Sequence, residues 1–488
     1  MSLFKRFAKD TAVYGIAAVL PKLVNVLLVR LHTGILEPSA YSDNTQFYIY
    51  ATYFNVILTY GMETAFFRFF TKMKEKDKVA QTAFTSILLS SLLFLLLLFG
   101  FAGSISGFLQ INPAYYKILV AILILDTLVV IPYAYLRVMQ KAVKFAYYRI
   151  INISIYALLN IVLLWLIPYF IDKNILQQTE FILQYNTHPK VIYIFIANLI
   201  ASIFTFILFI PVLQKFRLGI DLQLLKKMLR YSLPIMIAGL AYATNENLDK
   251  LLIGRMLNKE QMGIYAAVYK LGVLMLLYVT AFRLGAEPYF FSQHKAKDAR
   301  QQYAKILLWF TIFGAIFFVG IMTFLDFISG LLIGQAVYLE ALHIVPVILT
   351  AYLIFGIYNN LSVWYKLTDK TRFGMYLSVF GALITIVFNI VMIPKIGYMA
   401  SAWATLAAYG GMSIFSYLLG RKYYPVPYQT GKVIFYIISP ALTGWVIFTY
   451  FYKVYPVKIA ILILYILLVF AMERKEIKGL FSKKNTIQ

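Results

Sequence analysis

"YGMETAFFRFF", Tyr60 to Phe70, closes a long apolar run, yet it carries Glu63 in its middle and Arg68 further along. A carboxylate at membrane depth costs roughly 3 kcal/mol or more on insertion scales, so it calls for a partner or a polar surface. Nearly the same phrase returns as "LGAEPYFF", Leu284 to Phe291. Sliding the second stretch back by 224 residues places Tyr265 on Tyr41, Gly285 on Gly61, Glu287 on Glu63 and Phe290-Phe291 on Phe66-Phe67. A shift of 223 superposes "ISGLL" (Ile328 to Leu332) on "ISGFL" (Ile105 to Leu109), and a shift of 229 places Asn389-Ile390-Val391 on Asn160-Ile161-Val162. The matches keep their order at a nearly constant offset, which is the mark of an internal duplication.

What is duplicated is a membrane bundle. Of the 488 residues 61% are hydrophobic and only 13% charged, and the mean hydropathy is +0.77. Apolar runs near the ~20 residues needed to cross a bilayer recur along the whole chain. The expected fold is an all-α polytopic membrane protein of about fourteen transmembrane helices, from 11–31 to 457–472, the last two being the weakest because Pro440 interrupts one and the other is short. Basic residues alternate in density. Lys5, Arg6 and Lys9 precede the first span, Arg68 to Lys78 hold a dense basic stretch, and Arg137, Lys141, Lys144 and Arg149 follow the fourth. The positive-inside rule explains this pattern, and with it the net charge of +25, without nucleic acid. Both termini are predicted to be cytoplasmic. The basic opening "MSLFKRFAKD" runs into an apolar stretch that continues through Pro21 and Lys22, which reads as an uncleaved first span.

The duplication predicts two pseudo-symmetric lobes of six spans, 1–214 and 232–420, followed by two extra helices and a cytoplasmic tail over 421–488. Six is an even number, so both lobes have the same orientation, related by an axis along the membrane normal. Between them "RLGIDLQLLKKMLRYSLP" repeats Leu222, Leu225, Met228 and Leu229 opposite Lys226, Lys227 and Arg230. It reads as an amphipathic cytoplasmic linker helix over 215–231, lying on the inner leaflet, with Asp221 as N-cap.

Ionisable residues within the spans are the candidate site. The first pair of spans in each repeat carries most of them: Lys22, Asn25 and Arg30; Glu63; Glu246, Asp249, Lys250 and Arg255; Lys270, Arg283 and Glu287. Six cations stand against four anions, a slight excess that suits an anionic substrate with a hydroxyl-rich part, phosphate on the cations and sugar hydroxyls on the carboxylates and amides. The alternative is that these groups only pair across helices, with Arg30 and Arg255 snorkelling to the outer interface. Glu63, Arg68 and Glu287 lie near inner span ends and form a candidate inner gate. Asp126, alone in the fourth span, is a candidate cation or proton site, or else bonds a neighbouring hydroxyl; Asp249 with Asn389 is a second.

Other chemistries lack their residues. There is no cysteine, and four scattered histidines show no metal-ligand spacing, so no metal site and no catalytic residue is expected. There is no Walker motif, hence no cofactor and no intrinsic ATP hydrolysis; Na+ or H+ coupling would supply the energy. A polysaccharide polymerase or ligase is expected to carry a large functional outer loop, whereas the longest here, 168–189, is short.

The phrases "FAKDTAVYGIAAVLPKLVNVLLVRL", "YGMETAFFRFF", "YSLPIMIAGLAYATNENLDKLLIGRMLNKEQMGIYAAVYKLG" and "NIVMIPKIGYMASAWATLAAYG" resemble the polysaccharide-transporter branch of the MOP superfamily, which includes O-antigen flippases, the lipid II flippase and, more distantly, MATE exporters. The resemblance covers essentially the whole chain. It implies a cavity open alternately to each side, lined by spans one, two, seven and eight. It implies a polyprenyl-pyrophosphate-linked oligosaccharide as cargo, the bilayer and a polysaccharide polymerase or glycosyltransferase as partners, and the bacterial inner membrane as location. A lipid II flippase cavity would carry a denser set of arginines than this chain has, which favours an oligosaccharide. A MATE-like cation exporter would want a net acidic cavity.

Overall fold

The computed structural model describes residues 3–173, 175, 180–294, 296–474 and 476. Part of the expected outer loop 168–189 and most of the tail beyond Met472 lie outside them. Every regular element among the described residues is a helix. Among the described residues, eleven helical stretches are long and apolar enough to cross a membrane. The three other expected spans fall on Pro38–Thr59 with Met62–Lys72, on Leu222–Met256 and on Met399–Tyr423, which are helical but richer in polar residues. Pro440 does not break its span. It sits inside Thr430–Tyr450; membrane helices tolerate proline where their surroundings re-satisfy the carbonyl freed by the missing N–H. The protein is an all-helical polytopic membrane protein.

Contacts divide the chain into two compact units: one of residues 1–267, 333–338 and 372–401, the other of residues 268–332, 339–371 and 402–488. In the first unit, Leu3–Ile35 packs on Ala142–Ile161 and Leu222–Met256 on Arg372–Ile396. In the second, Ala299–Thr323 packs on both C-terminal helices, Thr430–Tyr450 and Tyr455–Met472. Two ion pairs, each with one fully buried partner, hold those helices. Lys458 Nζ donates to Asp326 Oδ1 at 2.8 Å, and Lys432 Nζ lies 2.7 Å from Glu473 Oε2.

The opening phrase is where a helix breaks. Pro38–Thr59 ends on Tyr60, a left-handed residue at φ 35°, whose amide still bonds Val56 O; Gly61 follows at φ 70°, and Met62–Lys72 starts afresh. Gly61 answers two demands. Its φ is open to glycine without a Cβ penalty, and a Cβ there would stand 2.7 Å from Ser232 O. The backbone of Leu222–Met256 passes that close.

The linker differs from the expectation of a separate helix on the inner leaflet. Asp221 does cap, its carboxylate accepting from the Leu224 amide at 2.9 Å. The helix it starts, however, runs unbroken from Leu222 through Pro234 to Met256. Its apolar face is spent on the protein: Leu224 and Met228 are buried with Met62, Phe66 and Phe70. Leu222, Gln223 and the basic face, Lys226, Lys227 and Arg230, remain exposed.

Candidate functional site

The duplicated carboxylates find the same kind of partner, each within its own unit. Arg137 Nη1 donates to Glu63 Oε1 at 2.7 Å, and Lys366 Nζ donates to Glu287 Oε1 at 2.6 Å. The two bases are themselves related by the 229-residue shift, so the duplication carries a whole ion pair. Sequence reasoning missed both bases because they fall just past the expected span ends, where the positive-inside rule already accounted for them; both are in fact helical. Around Glu287, Arg283, Asn359, Asn360 and Lys366 line a cavity of about 20 Å³, wide enough for a single water. Arg68 is turned elsewhere, its guanidinium 4.2 Å over the Tyr231 ring.

Two charges of Leu222–Met256, Asp249 and Lys250, form a buried cluster. Lys250 Nζ donates to Asp249 Oδ1 at 3.0 Å and to the Glu246 carbonyl at 2.6 Å, and Tyr265 donates to Asp249 Oδ2 at 2.8 Å. Side chains of Lys250 and Asp249 are 7% and 1% exposed, so neither charge is shielded by bulk water and each depends on the other. One turn back, Asn245 accepts from Thr385, Thr385 O accepts from Asn389, and Asn389 Oδ1 accepts from Ser401 at 2.6 Å. Asp249 and Asn389, proposed from sequence as one cation site, thus sit in two bonded networks of the same unit, each with its own partners.

The first helix carries Lys22 half-buried and Asn25 exposed. Arg30 donates to the Ile333 carbonyl and Gly334 N to Thr33 Oγ1, which ties segment 333–338 to the end of Leu3–Ile35. Arg255 reaches the Phe108 carbonyl at 3.4 Å. Lys270 and Arg283 are exposed in the second unit.

Asp126 is not alone. Ser202 donates to its Oδ1 at 2.8 Å. It lines a polar cavity of about 140 Å³ together with Glu63, Arg149, Asn55, Asn152, Asn198, Ser202 and Thr205. Sequence reading found Asp126 only. The amides and hydroxyls come from three helices: Asn55 from Pro38–Thr59, Asn152 from Ala142–Ile161, and Asn198, Ser202 and Thr205 from one face of Val191–Leu213. The i, i+4, i+7 spacing of the last three is a signal the sequence carried; their meeting with Asp126 is not. Outside the spans, Asp221 is held below the usual carboxylate range by its hydrogen bond from Lys78, 2.7 Å away, and by the Leu224 amide.

Comparison with known proteins now bears on this geometry. The family model described as polysaccharide biosynthesis protein matches residues 7–294, and the MatE model matches residues 234–391. The lipid II flippase MurJ in an inward closed conformation is 16% identical, with a TM-score of 0.73, covering 96% of this chain and all of that one. An inward-facing multidrug resistance MATE family transporter is 12% identical, with a TM-score of 0.64, covering 82% of this chain and 94% of the other. No curated protein matches in sequence. The fold is therefore that of the transporters of the MOP superfamily. Within it, the chain belongs to the polysaccharide biosynthesis protein family, whose model matches more than half of its length.

Proposed function

We propose that this protein flips a polyprenyl-pyrophosphate-linked oligosaccharide, a unit of O-antigen, capsule or exopolysaccharide, from the inner to the outer leaflet by alternating access. The observation that carries the reading is the polysaccharide biosynthesis match over residues 7–294. The likeness of nearly the whole chain to a lipid II flippase supports it. Lys22, Arg30, Lys250, Arg255, Lys270 and Arg283 outnumber Glu246 and Asp249 and would hold the pyrophosphate in a charged central cavity, with Asn25 beside them. Glu63 and Glu287, paired to Arg137 and Lys366, would form the inner gate with Arg68. The lobes would be 1–214 and 232–420, with both termini in the cytoplasm of a bacterial inner membrane and a polysaccharide polymerase or glycosyltransferase as partner. Na+ or H+ would drive the cycle, with Asp126, or Asp249 together with Asn389, as the candidate coupling site. The MatE match over residues 234–391 favours a second reading, a cation-coupled exporter of small molecules.

The test is flipping of short-chain polyprenyl-pyrophosphoryl oligosaccharides in proteoliposomes by the unaltered protein and by Lys22→Ala, Lys270→Ala and Glu287→Gln. Flipping that is lost in folded variants supports both the cargo and the cavity. Flipping that survives all three leaves the cargo and reduces these charges to structural pairing. No flipping, alongside export of an organic cation, moves the protein to the second reading.

A further inference from the structure

We infer that the polar cavity of the first unit, with Asp126 and Arg149 in its lining, is a sugar subsite that takes one pyranose ring of the cargo. The inference rests on the flippase reading and deepens it. The cavity is built from residues that apolar helices rarely carry: two carboxylates, one guanidinium, three carboxamides, two aliphatic hydroxyls and one phenol in a volume of about 140 Å³. That is room for a few waters or one small polar ring, not for a whole oligosaccharide.

Charge balance decides the ligand class. Glu63 also lines the cavity, but Arg137 neutralises it at 2.7 Å. Asp126 and Arg149 then cancel, and the site is neutral overall. Among the described residues Asp126 belongs to no ion pair, so the two charges share the cavity without consuming each other. A phosphate would want an excess of cations. A monovalent metal ion would want oxygens without a guanidinium beside them. A neutral polyol fits, because each hydroxyl both donates and accepts. Asp126 can take a donated proton, and the planar guanidinium can serve two neighbouring oxygens.

The parts are also held in place. Ser202 fixes one oxygen of Asp126, and Asn152 Nδ2 is fixed by Thr205 Oγ1 at 2.8 Å. The Arg149 guanidinium is held 4.5 Å over the ring of Tyr133, itself part of the lining, a cation–π contact that fixes its orientation. Preorganised polar groups of this kind discriminate strongly against a ligand that lacks the hydroxyl they expect.

The absence of cysteine makes the test direct. Asn55 lines the cavity and is exposed, so Asn55→Cys places a single thiol at its mouth. Its labelling by a charged methanethiosulfonate is followed in proteoliposomes with bare polyprenyl pyrophosphate, with the same lipid carrying glucose, galactose or N-acetylhexosamine, and with Na+ alone. Protection of at least about tenfold by a sugar-bearing lipid, absent with the bare lipid, is expected, and Asp126→Asn on the same background removes it. Equal protection by bare and sugar-bearing lipid, protection by Na+ alone, or no protection overturns the subsite. Flipping measured in parallel separates the two claims. Flipping without sugar-dependent protection sinks the subsite alone, whereas neither flipping nor protection sinks the flippase reading with it. Asp126→Asn keeps the side-chain shape, and a monodisperse size-exclusion profile confirms that it folds.

Discussion

The two copies of the Gly-x-Glu-x-x-Phe-Phe phrase share an ion pair and differ in backbone. At Glu63 the chain is broken into a 22-residue and an 11-residue helix, with Tyr60 and Gly61 in the left-handed region between them. At Glu287 a single 35-residue helix, Lys259–Gln293, runs straight through. Gly61 is pressed on the backbone carbonyl of Ser232, while a Cβ on Gly285 would meet nothing within 4 Å. A shared motif therefore preserved the charge chemistry, while packing against Leu222–Met256 in the first unit set the local fold. The same contrast separates buried from half-exposed charges. Asp249–Lys250 is buried and has no counterpart read from the repeat, whereas the duplicated pairs are 28–45% exposed.

The largest expected effect is on the buried charge. Lys250→Met leaves Asp249 buried without its ammonium and is expected to destabilise the first unit by about 3–5 kcal/mol, with the double variant Asp249→Asn/Lys250→Met recovering part of it. Thermal unfolding followed by size exclusion reads both. Next comes the glycine contrast. Gly61→Ala meets both a left-handed φ and the Ser232 carbonyl, for a loss of about 1–3 kcal/mol. Gly285→Ala, in an open helix interior, gains about 0.5–1 kcal/mol. Equal effects would erase the backbone difference between the copies. Smaller still are the duplicated pairs. Glu63→Gln and Glu287→Gln are each expected to cost no more than about 1 kcal/mol of stability. A double-mutant cycle with Arg137→Gln and with Lys366→Gln isolates each pair.

The smallest effect is a pH dependence confined to the first unit. Asp221 has a depressed pKa, so its stabilising contribution is present above the unfolded carboxylate value of about 3.9 and fades as pH falls through the lower folded value. Asp221→Asn is therefore expected to lower the melting temperature slightly at neutral pH, where that contribution is present, and to flatten the acid-side decline between about pH 4 and pH 2.

Much of the architecture was legible because membrane insertion is written in one dimension. Span length, apolar composition and the alternation of basic loops follow from the bilayer alone, and Asp221 as a cap follows from local hydrogen bonding. Pro440 weakened the thirteenth span without removing it, since proline breaks helices in water but is tolerated in membrane helices. The linker misled for a related reason: an amphipathic pattern states that one face is buried, not what buries it, and here Phe66 and Phe70 do so in place of lipid.

By itself, then, the sequence determined the class of protein, the number of spans, the duplication and the inventory of charges available within the spans. Tertiary structure alone decided the partners: Arg137 for Glu63 across 74 residues, Lys366 for Glu287 across 79, Lys458 for Asp326 across 132, and the meeting of Asp126 with Arg149, Asn152 and Asn198 around one cavity. The reason is physical. Transfer to the membrane is paid residue by residue along the chain, whereas a buried charge is satisfied by whatever the fold brings within about 3 Å of it.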